Sequence, residues 1–198
     1  LWSKEDKEYW KDRYGITRFT LEFYNVEPID YYWINDNRFK CRSITYSYEF
    51  GNGARDIYAP LDKEYKWPAS TTKANQHIYG LDQLPTCGNI LFIVSSLKEV
   101  MFLSEFGISA IAPQSETVFI PEEILWALEL RFDEIIIMFD FDRAGCVNAS
   151  KQANERGLKY MKFCPVMINE FEAKDLTDGF EKNNERIINL LNNYERYL

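Results

Sequence analysis

Histidine is almost absent from this chain, with one in 198 residues, and the four cysteines are scattered. Cys41, Cys87, Cys146 and Cys164 show neither the close pairing that holds zinc nor the density that staples a small secreted domain. A reducing, cytoplasmic setting is the expectation. No apolar stretch approaches the ~20 residues that cross a bilayer and no secretory leader opens the chain, so no membrane partner is expected. The start at Leu1-Trp2, without an initiator methionine, reads as that of an excised fragment. Positive charge is also scarce: 23 Lys and Arg stand against 31 Asp and Glu, a net charge of −8. That balance excludes reliance on nonspecific attraction to DNA over the whole surface, although a locally basic region remains compatible with it. His77 lies in a polar stretch and reads as structural.

Apolar residues make up 46% of the chain and aromatics 16%, ample for a buried core in one or two small domains. Ile90–Val94 is an unbroken apolar run of strand length. Ser95 and Ser96 end it, and apolar residues at helical spacing follow from Leu97 to a glycine stop at Gly107. Ile108–Ala112 reads as a short strand closed by Pro113. Pro121 opens a helix to about Phe132, with Glu122 and Glu123 in its first turn where the helix dipole favours acids. A second apolar run, Ile135–Phe139, precedes a helix over Arg143–Arg156, then Gly157 and a strand near Tyr160 to Cys164. The order β-α-β-α-β-α-β predicts a mostly parallel sheet with helical crossovers.

The most informative stretch is Ile135-Ile136-Ile137-Met138-Phe139-Asp140-Phe141-Asp142-Arg143-Ala144-Gly145. A buried parallel strand of this kind delivers its terminal carboxylates to the C-terminal edge of the sheet, where open α/β sheets bind ligands. Two acids that close raise the local negative potential, and a hard divalent cation with oxygen ligands relieves it. The plain alternative is that Asp142 caps the following helix. A further acidic pair, in Lys174-Asp175-Leu176-Thr177-Asp178, precedes the C-terminal helix.

These segments, over roughly residues 88 to 180, resemble the Toprim domain shared by bacterial-type primases, topoisomerases and some nucleases. Asp140-Phe141-Asp142-Arg143-Ala144-Gly145 looks like the primase version of the family's second motif, and Lys174-Asp175 with Asp178 looks like its later acidic motif. The first motif departs: where the family has a glutamate, a glycine and, three residues on, an aspartate, this chain has Ser95, Ser96 and Glu99. Serine is no carboxylate base, so that role does not transfer to Ser95. Glu116, after the next strand, is the candidate replacement, on the expected strand direction alone. The resemblance implies Mg²⁺ or Mn²⁺ held by Asp140, Asp142 and Asp175, catalysis by Asp140 and Asp142, to which strand direction adds Glu116, and phosphate neutralised by Arg143 and Lys174.

Residues 1–87 differ in character. Tyr9-Trp10, Tyr14–Ile16 and Phe19–Tyr24 read as short helices or turns, and Tyr31 to Tyr58 alternates aromatic with polar residues. Breaks at Asn35-Asp36-Asn37 and Gly51-Asn52-Gly53 predict an antiparallel meander. Arg38, Lys40, Arg42, Arg55, Lys63, Lys66 and Lys73 interleave with Tyr46, Tyr48, Tyr58, Tyr65 and Trp67. Such a mixture suits a single strand or a nucleoside triphosphate, and the plain alternative is exposed charge on a sheet with an aromatic core. The expected architecture is therefore α/β, a Toprim-like parallel sheet over residues 88–198 preceded by a smaller α+β subdomain over 1–87. The function implied is that of a primase-like RNA polymerase core making primers on single-stranded DNA, with a replicative helicase as an implied partner and a phage as a compatible source. A Toprim nuclease and a noncatalytic nucleic-acid-binding module are the alternatives.

Overall fold

The computed structural model describes residues 1–50, 53–70, 77–162 and 172–198. The chain forms two compact units, Leu1–His77 and Ile78–Leu198. Residues 78–87, read from sequence as the end of the first part, pack in the second: Ile78, Leu81 and Leu84 lie against its core, and Tyr79 bridges Ala112. Gly51, Asn52, Lys73 and Cys164 lie outside the described residues.

In the first unit, Ser3 opens α1 (Lys4–Lys7) with a reciprocal cap, its hydroxyl accepting from the Asp6 N–H while Asp6 receives the Ser3 N–H. A π-helical turn (Glu8–Asp12) and α2 (Arg18–Phe23) follow. Strands β1 (Val26–Pro28), β4 (Tyr46–Glu49), β5 (Arg55–Tyr58) and β6 (Ala69–Ser70) form an antiparallel sheet in the order β1-β4-β5-β6. Strands β2 (Tyr31–Ile34) and β3 (Asn37–Lys40) form a separate two-stranded ribbon. The meander is thus split, because β4 takes β1 as its neighbour. Asn35 and Asp36 both adopt positive φ, 46° and 65°, which gives the two-residue turn whose twist matches a hairpin. Tyr46, Tyr48 and Tyr58 are buried around Trp10, with the Tyr46 hydroxyl donating to Asp6 Oδ1 at 2.7 Å and Tyr9 and Tyr58 sharing a hydroxyl contact at 3.1 Å. These tyrosines are core, so the aromatics free to meet a ligand lie elsewhere. His77 stacks on Phe50 with ring centroids 4.5 Å apart.

The second unit is built on β7 (Gly88–Val94), β8 (Ser109–Ile111), β9 (Phe132–Met138) and β10 (Lys159–Tyr160), in the order β10-β9-β7-β8 with every pairing parallel. Connecting helices are α3 (Leu97–Ser104), α4 (Glu122–Glu129) and α5 (Arg143–Arg156), and α6 (Leu176–Lys182) and α7 (Asn184–Leu191) follow. Alternation along the strands divides the core. Leu91, Ile93, Ile135 and Ile137 pack with Leu125 and Leu128 of α4 and Ala149 and Ala153 of α5. Phe92, Val94, Ile136 and Met138 are buried on the opposite face, where Phe92 meets the ring of Tyr194. A strand buried on both faces needs a continuous apolar sequence, which is what Ile135–Phe139 supplies.

Helix α4 ends at Glu129, short of the predicted Phe132, because Phe132 pairs with Gly88 and the Gly88 N–H donates to the Arg131 carbonyl. The ladder claims these residues before the helix can. Helix α5 has its predicted bounds, closed by Gly157 at φ 69°. Among the described residues no helix is long and apolar enough to cross a membrane.

Candidate active site

Strands β7 and β9 end side by side, with Val94 paired to Met138, so the residues that follow each are delivered to one edge. Ser95 follows β7, and Asp140 and Asp142 follow β9. Asp142 caps α5 by accepting the Gly145 N–H at 2.9 Å through Oδ1. Its other oxygen, Oδ2, lies 3.9 Å from Lys174 Nζ, and Asp140 Oδ2 lies 3.0 Å from the same ammonium. Capping and cation binding are therefore divided between the two oxygens of one carboxylate. The Phe141 N–H donates to the Lys174 carbonyl at 2.7 Å, which holds the Lys174 segment against the strand end. Asp140 beside it is the largest reason the Lys174 ammonium holds its proton more tightly than usual.

Asp175 caps α6 through Oδ1, which accepts the Thr177 hydroxyl at 2.6 Å and the Asp178 N–H at 2.8 Å. Its Oδ2 stands 3.7 Å from Lys98 Nζ, and both side chains are largely buried. Burial alone would raise this carboxyl, but Lys98, the Thr177 hydroxyl and the backbone donors outweigh it and hold Asp175 below the usual carboxylate range.

Glu116 meets the same edge from the loop after β8. Its Oε1 accepts the Asp140 N–H at 2.8 Å, and Gln152 of α5 fixes the loop by donating to the Glu116 carbonyl at 2.7 Å. Burial, followed by the charges of Asp140 and Asp142, raises Glu116 against the lowering effect of its own hydrogen bonds.

Sequence reasoning left Glu99 one helical turn away from the strand end. The structure folds its carboxyl back: Oε2 accepts the Ser95 N–H at 3.1 Å and contacts Ser95 Oγ, which in turn lies 2.6 Å from Asp140 Oδ1. The hydroxyl of Ser95 has one hydrogen, and it lies between two carboxyl groups. One contact must therefore be made by a proton on a carboxyl. Glu99 is the holder, since it is 1% exposed while Asp140 is paired with Lys174. Burial first, then the negative charges of Asp175 and Asp140, raises the Glu99 carboxyl well above its usual range. The signal was present in sequence as an acid four residues after the serine, but its direction was not.

An acid that binds its proton more tightly when folded takes up that proton on folding. Stability linked to it is greatest below the unfolded carboxylate value of ~4.3 and falls as pH rises toward the folded value. Glu99→Gln keeps the shape and is always neutral. In urea denaturation with a chelator present, its stability relative to the native chain is expected to grow as pH rises above the unfolded carboxylate value of ~4.3 and to level off once pH passes the raised folded value. A difference that does not change with pH would mean Glu99 is ionised in the folded chain.

Of the proposed phosphate contacts, Lys174 is at the cluster, and Arg143 is exposed in the first turn of α5. Those in the first unit occupy its surface. The Arg38 guanidinium lies 3.7 Å from the Tyr31 ring centroid, Lys40 and Arg42 line a cavity of about 360 Å³, Arg55 pairs with Glu49, and Lys66 lies 5.7 Å from the Tyr58 ring. Among the described residues no three His, Cys, Asp or Glu side chains are arranged to hold a metal ion. Asp140 and Asp142 nevertheless share one cation, the Lys174 ammonium, while Asp175 is turned to Lys98. The donor set is hard oxygen at a shared cation position, and it suits Mg²⁺ or Mn²⁺ at the Asp140–Asp142 pair.

No family model matches the sequence, and no curated protein sequence matches it. Solved structures match in fold. The primase fragment of the bacteriophage T7 primase-helicase protein aligns with a TM-score of 0.61 at 15% identity, over 88% of this chain and 70% of that one. The DnaG catalytic core aligns with a TM-score of 0.60 at 16% identity, over 92% and 73%. A DnaG primase catalytic domain bound to single-stranded DNA gives 0.56 at 13% identity, over 92% and 73%. The chain has the fold of bacterial and phage primase catalytic cores, with the parallel sheet and the antiparallel N-terminal region expected of it.

Proposed function

We propose that this chain is a primase-like nucleotidyltransferase core that joins ribonucleotides on a single-stranded DNA template, with Mg²⁺ or Mn²⁺ at the sheet edge. The observation that carries the reading is the pair Asp140 and Asp142 sharing one cation at the C-terminal edge of the parallel sheet. The fold supports it, since single-stranded DNA is bound by one protein of that fold and another is part of a primase-helicase. By the same analogy a replicative helicase is the expected partner.

Asp140 and Asp142 would hold the cation, with Asp175 at the border of the cluster. When bound, the ion supplies activation of a primer 3′-hydroxyl and neutralises charge on the leaving pyrophosphate. The chain's own residues do the rest. The Asp140 N–H on Glu116 fixes the strand end, so that the Asp140 carboxylate keeps its direction. Ser95 and Glu99 hold a proton against Asp140, the place where the family carries a glutamate. Lys174, more than half exposed, is free to swing from the acids to a triphosphate oxygen.

Because the ammonium occupies the shared position, Lys174→Met is expected to tighten Mn²⁺ binding a few-fold in calorimetry, the gain being small because the ammonium is largely exposed. Unchanged or weaker binding would mean that Lys174 and the metal do not compete. The deciding test of the function is incorporation of labelled ribonucleotides on single-stranded DNA with Mg²⁺ or Mn²⁺. Primer products support the reading. Strand scission would assign the acids to a nuclease, and binding with neither reaction would assign a noncatalytic module.

A further inference from the structure

Among the described residues β2 and β3 form a sheet of their own, and a lone two-stranded hairpin is marginal in water. It nonetheless carries large apolar side chains outward: Trp33 is 61% exposed, and Phe39, Tyr31 and Ile34 are also exposed. Register separates them by face. Trp33 pairs with Arg38 and Tyr31 with Lys40, so both exposed aromatics of β2 stand on one face with two cations. The Arg38 guanidinium lies 3.7 Å from the Tyr31 centroid and 5.6 Å from that of Trp33. On the other face Tyr32 stacks on Phe39, with centroids 5.4 Å apart at 13°, beside the cavity that Arg42, Asp62 and Tyr65 also line.

Charge identifies the occupant. Between Tyr31 and Arg42 there are three cations and one acid, Asp36 at the turn, and the strands themselves carry no acid, in a chain of net charge −8. Rings of this kind interleaved with guanidinium and ammonium groups match unpaired bases joined by phosphates, because every base has a stackable face and every linkage a charge. We infer that the β2–β3 ribbon is a stacking platform for single-stranded nucleic acid, with Trp33 and Tyr31 receiving bases and Arg38, Lys40 and Arg42 receiving phosphates. The inference deepens the primase reading and rests on it only for what the strand is used for.

Anisotropy of a fluorescein-labelled oligothymidylate, an oligouridylate and a DNA duplex, each titrated with the whole chain, tests it. Trp33→Ala and Tyr31→Ala are each expected to weaken single-strand binding roughly 10-fold with the salt dependence unchanged, and Trp33→Phe to restore most of it. Arg38→Ala and Lys40→Ala are each expected to lower the salt slope by about 1. The two oligonucleotides distinguish DNA from RNA as the strand held. Native-like binding by Trp33→Ala, or a duplex bound as tightly as a single strand, overturns the platform. If the native chain binds through Trp33 and makes no primer, the primase reading falls and the platform stands. If it makes primers while Trp33→Ala binds as the native chain does, only the platform falls.

Discussion

Asp140→Asn/Asp142→Asn is expected to abolish Mn²⁺ binding and to lower primer synthesis by roughly 10³-fold or more, because both carboxylates that share the cation position become neutral. The fold should survive. Asparagine caps a helix about as well as aspartate, so the Gly145 N–H keeps its acceptor at position 142. Lys174 loses both partners but is 59% exposed, so water takes their place. The informative result is a folded protein, by thermal melting, that no longer binds Mn²⁺ in calorimetry. Metal binding retained at native strength would move the site to the other acids at that edge, Glu99, Glu116 and Asp175, and would remove the central support for the primase reading.

This pair was legible because its cause is local. The stretch of β9 buried on both faces, from Ile135 on, must be apolar, so an acid can stand only outside it, and its end is visible in sequence at Asp140. The same logic set the bounds of α5, between an aspartate cap and a glycine in the left-handed conformation. Glu99 was a different problem. Helical spacing places it one turn past Ser95, and whether its side chain points outward or folds back depends on the Ser95 N–H and on the burial that α3 brings with it. The aromatics of the first unit, left between core and ligand surface in sequence, could not be sorted for a related reason. Tyr46 and Trp33 sit in equally alternating stretches, and only the pairing of β4 with β1 and β5 makes the first core and leaves the second on an isolated ribbon. Non-local pairing likewise moved the break between units, because Tyr79 is held by Ala112, more than thirty residues away.

Gly145→Ala is expected to destabilise the chain by about 3 kcal/mol, a cost at the upper end for one added methyl, and to weaken metal binding at the same time. A Cβ at this position would stand 2.1 Å from the Asp140 carbonyl oxygen and 2.7 Å from its carbon. Those are backbone atoms, so no side chain can turn aside. Either α5 lifts, which strips the Gly145 N–H from Asp142, or the strand end shifts, which carries Asp140 away from Lys174. The glycine thus sets the closeness of helix and strand on which the acidic pair depends. Gly157→Ala provides the contrast: nothing lies within 4 Å of its Cβ, and its φ of 69° alone costs about 1 kcal/mol. It should lower stability without changing Mn²⁺ affinity. If Gly145→Ala behaves like Gly157→Ala in both measurements, the close approach does not position the acids, and the Asp142 cap and the Lys174 bridge hold them without it.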